Sequence, residues 1–310
     1  MLDVRRMRVL REVAATGSFS AAAESLSFTQ SAVSQHIAAL EREAGAQLVD
    51  RGARGTRLTD AGRALVSHAD AVIARLDDAE QELAAIAGLR GGRLRLGTFP
   101  SAGATLVPHA VAAFSARHPE VELALMEGEP EETFPRLRAG DLDLAVVFDY
   151  ESIADDWGEE FERVDLIDDS MDLVLPKGHR LAERRSVKLA DLCEEPWVGG
   201  CGGGSCARIL DHVCAAAGFQ PKLAFETNDY QAIQAFVAAG LGVAILPALC
   251  LGTPHPEVVI RRLSPPIAPR KIWAAMLAGS YHSPASEAML QILQDVSDEF
   301  TGGALMATAA

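Results

Sequence analysis

The sequence contains no uncharged apolar run close to the roughly 18 residues that would span a bilayer. Its opening, MLDVRRMRVLREVAATG, has arginines but no long apolar core and no small-residue cleavage site, so secretion is not expected. Cysteine is scarce: 5 in 310 residues, an odd number and without a Cys-x-x-Cys pair, which argues against a disulfide framework and against a structural zinc site. Gly 26 and Pro 15 are ordinary, which excludes collagen-like and low-complexity designs. There is no G-x-S-x-G elbow, and the glycine-rich stretch Gly199-Gly200-Cys201-Gly202-Gly203-Gly204-Ser205 lacks the Gly-Lys-Ser/Thr ending of a P-loop. These absences leave a soluble, reduced, cytoplasmic chain for which no cofactor, metal or membrane contact is expected. At 49% apolar and 23% charged it has a globular balance.

Positive charge is also scarce, and unevenly placed. The net charge is −15, yet residues 1–60 carry eight arginines against seven acids, +1 in sum, leaving −16 on the remainder. An acidic body with a locally basic head is no bulk polyanion binder. Any contact with nucleic acid would go through the head.

The first 44 residues have helical periodicity. Val4, Met7, Leu10 and Val13 form one stripe, which Gly17 ends. Ser18 or Ser20 caps a second short helix containing Ala22, Ala23 and Leu26, and Ser27-Phe28 makes a tight turn. Thr29 caps a third helix with Val33, Ile37 and Leu40 on one face, completing a helix-turn-helix pattern. Two short extended runs, 47–51 and 56–59, flank a glycine-containing turn and predict a β-hairpin. A long helix is expected over about 60–87. Leu65, Ala69, Val72, Leu76, Ala79, Leu83 and Ile86 alternate spacings of four and three, a coiled-coil seam that predicts self-association or packing within the chain. Glycines 88, 91 and 92 break it.

Beyond, strand and helix alternate: strands at 93–97, 121–126 and 143–148 with helices at 104–117 and 132–139, a βαβαβ order that implies a parallel sheet. A second set comes next, with strands near 171–175, 197–199, 222–227, 243–246 and 272–277 and helices at 205–217, 229–239 and 284–300. The expected domains are therefore 1–59, 60–90 as a linker helix, 91–300, and a disordered tail at 301–310.

Three strings, FSAAAESLSFTQSAVSQHIAALE, LVDRGARGTRLTDAG and VAAGLGVAILP, together with the seam helix and two α/β halves, resemble a LysR-type transcriptional regulator over nearly the whole chain. The sequence departs from that pattern at Val49-Asp50-Arg51, where an aromatic often precedes the basic residue. The resemblance implies an α/β protein with an N-terminal winged helix-turn-helix, a long linker helix and a C-terminal, periplasmic-binding-protein-like bilobed effector domain. It further implies binding to promoter DNA, a homodimer through the linker helix or a homotetramer, and RNA polymerase as a partner if the protein activates.

Because the N-terminal part of a recognition helix meets base edges, Thr29, Gln30, Ser31, Ala32, Ser34, Gln35 and His36 are the expected readers. Arg51, Arg54 and Arg57 on the hairpin would lie along phosphates. Ligands of open α/β sheets bind beyond the carboxyl ends of parallel strands. That places Thr98, Pro100, Ser101 and Ala102 in one loop, Gly200, Cys201 and Gly202 in a second, Thr227 and Asn228 in a third, and Asp149 at the end of a strand. Free N–H groups at the three helix starts would suit a carboxylate or similar anion. Two alternatives stay open. One is a thiol switch at Cys201 and Cys206; the other is an enzyme on the bilobed scaffold with Ser101 or Cys201 as nucleophile.

Overall fold

A computed structural model describes residues 1–52, 55–86, 92–153, 157–200 and 204–301. It divides into two compact units, the first built mainly on residues 1–92 and the second mainly on the remainder of the chain.

In the first unit, α1 (Val4–Thr16) starts at Asp3, whose carboxylate accepts from the N–H groups of Arg5 and Arg6, and stops at Gly17 in the left-handed region. The Ser18 hydroxyl caps α2 (Phe19–Ser25), and Thr29 caps α3 (Gln30–Ala44). Between them Ser27 takes φ 55°, which lets the turn bring the Phe28 N–H onto the Ala23 carbonyl at 2.8 Å. Leu10, Ala22, Val33, Ile37 and Leu40 are fully buried where the three helices meet. Ala22 and Ala23 permit the close approach.

The hairpin is β1 (Val49–Gly52) with β2 (Gly55–Leu58), paired antiparallel with Val49 opposite Leu58. It is tied to the helices at two points. The Glu41 carboxylate accepts from the N–H groups of Leu48 (2.9 Å) and Val49 (3.2 Å), and the Thr56 N–H donates to the Gly17 carbonyl.

Helix α4 (Asp60–Ile86) comes next. Thr59 joins it to the hairpin: its hydroxyl accepts from the Gly62 N–H and donates to the Gln47 carbonyl. The seven-residue seam does not behave as one stripe. Leu65 and Ala69, with Ile73, are buried in the core of the first unit, whereas Val72, Leu76 and Leu83 are exposed. The early part of the seam packs within the chain because the apolar face of α1 lies against it.

The second unit contains, in order, β3 (Gly92–Thr98), α5 (Pro100–Gly103), α6 (Leu106–Arg117), β4 (Val121–Glu127), α7 (Pro130–Arg138), β5 (Leu144–Tyr150), β6 (Phe161–Asp169) and β7 (Met171–Pro176). Then come β8 (Ser186–Val187), β9 (Pro196–Gly199), α8 (Ser205–Ala216), β10 (Lys222–Glu226), α9 (Tyr230–Ala238), β11 (Ala244–Pro247), β12 (Val258–Leu263), β13 (Arg270–Leu277) and α10 (Pro284–Thr301). The helix expected over 104–117 starts later, because Thr105 leaves helical geometry and Pro108 fits only the first turn of α6.

The expectation of a parallel sheet holds only in part. The first sheet has the order β4-β3-β5-β13-β6. There β3 and β5 are parallel, but β13 runs antiparallel to both β5 and β6. The second sheet, β11-β7-β12-β8, is mainly antiparallel, and β9 pairs with β10 in parallel beside it. Strands β6 and β12 are hidden in the sequence because they intersperse charges, FERVDLIDD and VVIRRL, instead of forming a continuous apolar run. The chain therefore passes from the first sheet to the second after β6 and returns before β13. Two lobes share these two crossings. Among the described residues, no helix is long and apolar enough to cross a membrane.

Candidate functional site

On α3 the buried stripe of Val33, Ile37 and Leu40 fixes which side is free. Gln30, Ser31 and Gln35 are exposed, or nearly so, along the opposite side, and the helix start at Thr29 is exposed with them. Several of the expected readers have partners within the chain. The Thr29 hydroxyl accepts from the Ala32 N–H at 3.2 Å and lies 3.0 Å from the Ser31 hydroxyl. His36 stacks on Phe28 with ring centroids 5.7 Å apart, and Phe28 is itself 47% exposed. Phe28 is not singled out by sequence, because nothing in its local pattern separates a solvent-facing aromatic from a core one. On the hairpin, Arg57 is exposed and stands directly across from Asp50. Arg51 lies on β1 but its side chain is outside the described residues, as is all of Arg54.

In the second unit the structure brings some of the named loop residues together and not others. Gly200, Thr227 and Asn228 line a small pocket with Glu129, Tyr150, Met171, Tyr230 and a wall of Val198, Ile209, Leu210 and Ile245. Its free space is about 30 Å³. An adjoining cavity of about 650 Å³ shares Asn228 and Tyr230, and is lined also by Pro100, Ser101, Glu127 and Cys250. Thr98 and Ala102 are fully buried and line neither space. Asp149 does not project beyond its strand. It sits inside β5, a position before Tyr150, and is paired with Arg163 at 2.7 Å. Alternation along the strand turns it away from the face that carries Phe148 and Tyr150 into the core. Cys201 and Gly202 lie outside the described residues.

Three features are not legible in the sequence. The first is a buried ion pair where the chain crosses between lobes. Arg270, the first residue of β13, donates to Asp169, the last residue of β6, at 2.6 Å, and to the Ser101 hydroxyl at 2.8 Å. Its guanidinium is fully buried between the rings of Phe99 and Phe148, each 4.8 Å away. Burial works against its charge, but Asp169 more than compensates and the pKa rises above the ordinary arginine value. The second carboxylate oxygen of Asp169 accepts from the Leu249 N–H at 3.0 Å, joining the crossing to the end of β11.

The second feature is that the helix starts are not open anion sites. At α8 the Glu131 carboxylate accepts from the Ser205 hydroxyl at 2.9 Å and from its N–H at 3.3 Å, with Arg208 at 3.7 Å. At α9 the chain's own Asp229 accepts from the N–H groups of Gln231 and Ala232. At α5 the first residue is a proline, which has no N–H to offer. The third is Glu129, which faces the pocket and whose carboxyl has no hydrogen-bond or ion-pair partner among the described residues. Burial pushes its pKa up to about 7, Glu131 pushes the same way, and Arg270 only partly opposes them.

Of the cysteines, Cys214 is buried, and that burial, with Asp211 nearby, pushes its thiol up to about 12, far from a reactive thiolate. Among the described residues no cluster of His, Cys, Asp and Glu could hold a metal ion.

Known proteins match the two units separately and together. Residues 4–63 match the family model "Bacterial regulatory helix-turn-helix protein, lysR family", and residues 87–298 match "LysR substrate binding domain". An uncharacterized HTH-type transcriptional regulator of Bacillus subtilis, YvbU, is 34% identical over 86% of this chain and 89% of its own length. The probable HTH-type transcriptional regulator LrrA of Synechococcus elongatus is 32% identical over 96% of this chain and 98% of its own. The structure of a full-length, cysteine-substituted OxyR from Pseudomonas aeruginosa has the same fold, with a TM-score of 0.70 at 22% identity over 96% of this chain and 95% of that one. The chain belongs to the LysR family, and is a sequence-specific DNA-binding transcriptional regulator with a small-molecule effector domain at its C-terminal end.

Proposed function

We propose that α3 enters the major groove, with Gln30, Ser31, Gln35 and, beside them, Ala32 and Ser34 facing base edges. Thr29 and His36 act by holding the start of that helix. Arg51, Arg54 and Arg57 lie along phosphates and supply affinity without much discrimination. The observation that carries this reading is the split of α3 into a fully buried stripe and an exposed polar one that begins at its capped N-terminus. The exposed seam of α4, from Val72 to Leu83, pairs with the same seam of a second copy. Two such dimers form the tetramer, and an activating complex would touch RNA polymerase at the promoter.

The effector occupies the pocket lined by Gly200, Thr227 and Asn228 and the cavity that adjoins it at Pro100 and Ser101. Its effect on transcription requires different affinities for two arrangements of the protein, because a ligand with equal affinity for both shifts nothing. The test is footprinting with the purified protein on DNA upstream of its own operon and on random fragments. Protection of an interrupted palindrome is expected. The reading fails if no bases are protected at concentrations that saturate non-specific binding.

A further inference from the structure

The pocket between the two lobes is walled by aliphatic side chains, and its only ionisable group without a partner among the described residues is the Glu129 carboxyl. The described features nearby that would attract an anion are occupied by the chain itself or closed off from the pocket. Arg270 is paired with Asp169 through one nitrogen. Its Nε and Nη1 have no hydrogen-bond partner among the described residues, but the side chain is fully buried and lines neither the pocket nor the adjoining cavity. The N-terminus of α8 holds the Glu131 carboxylate, and that of α9 holds Asp229. Glu127 on the rim of the adjoining cavity adds a further negative group. A carboxylate or phosphate entering here would find no arginine or lysine among the described lining residues. It would also lie against carboxylates across a medium of low dielectric constant, where like charges repel strongly. A protonated amine would gain a charge-assisted hydrogen bond to Glu129, with the Thr227 hydroxyl in the same lining and apolar walls for its carbon skeleton.

We infer that the effector is a compact, largely apolar amine, with Glu129 as its counter-ion. This rests on the pocket's being the effector site. The experiment measures the thermal shift and affinity of the full chain with matched probes of two to eight carbons: n-alkylamines and benzylamine, the corresponding alcohols, and the corresponding carboxylates including benzoate. Ligands that bind only the folded state raise its melting temperature. The amines are expected to stabilise the protein, the carboxylates are not, and Glu129→Gln is expected to weaken amine binding by about tenfold or more. Val198→Trp, which fills the pocket wall, is expected to abolish the response. If amines still bind that variant, the ligand sits elsewhere and it is the pocket reading that fails. If carboxylates or alcohols stabilise as well as amines, if no amine responds, or if amine affinity is indifferent to Glu129→Gln, the amine inference is overturned.

Discussion

Gln30 and Gln35 differ from Arg57 in what each could recognise on a duplex. An amide pairs bidentately with adenine, whereas an arginine over a phosphate reads charge. Gln30→Ala and Gln35→Ala are expected to cost about 1–3 kcal/mol of discrimination between operator and random DNA, with little loss on random DNA. Arg57→Ala is expected to weaken both alike and to flatten the salt dependence. Titrations on both DNAs at two salt concentrations check this, and equal losses in the two classes of variant would reject the division of labour. The other decisive residues are Asp169 and Arg270. Removing one member of a buried pair strands the other charge. Asp169→Asn is therefore expected to lower stability by about 3–5 kcal/mol in urea unfolding, well beyond the change for a surface aspartate such as Asp60.

Among the elements, α4 has one sequence pattern in two surroundings, buried within the chain near its start and exposed further along. Its start is fixed by contact with the hairpin. A Cβ on Gly62 would stand 2.0 Å from the Leu48 carbonyl oxygen, which is backbone and cannot swing aside. Gly62→Ala is expected to destabilise the first unit by at least about 1–3 kcal/mol, the range for forced overpacking, as measured by thermal unfolding. Helix propensity alone would predict a gain for the same change. Further along, Leu76 and Leu83 are 43% and 66% exposed. Glutamate at both positions is expected to leave monomer stability nearly unchanged and to dissociate the assembly, with loss of operator affinity. Sedimentation at micromolar concentration distinguishes that from a seam that serves only within the chain, for which the mass would not change.

For the whole molecule, stability and acidity are linked through Glu129. The unfolded chain releases this proton near its ordinary value of 4.5, while the folded protein keeps it up to about 7. The folded state therefore binds the extra proton across that window, and the residue's contribution declines as pH rises from 4.5 to about 7 and stays flat above. Relative to Glu129→Gln, the natural protein is expected to lose stability progressively over that range. Urea midpoints of both proteins, taken from the ordinary glutamate value to about one unit above the folded one, test this, and parallel curves would contradict it.

Much of the first unit is legible in the sequence because its determinants are local. The caps Ser18 and Thr29, the stop at Gly17, the stripe of Val33, Ile37 and Leu40, and the hairpin around Gly52 and Gly55 all act within a few residues along the chain. The alternation of α4 is legible too, but not which part of it the chain covers itself, since that depends on where α1 lies. The tertiary structure alone decided the pocket's chemistry. Ser205 meets Glu131 across 74 positions, and Arg270 meets Asp169 and Ser101 across 101 and 169. No periodicity links residues so far apart. The glycines and hydroxyls of the loops suggest an anion site, and only folding reveals that the chain's own carboxylates occupy the starts of α8 and α9 and leave Glu129 without a partner among the described residues. Short-range backbone chemistry sets where elements begin and end. Which charges are buried, and against what, depends on long-range packing that brings distant segments together.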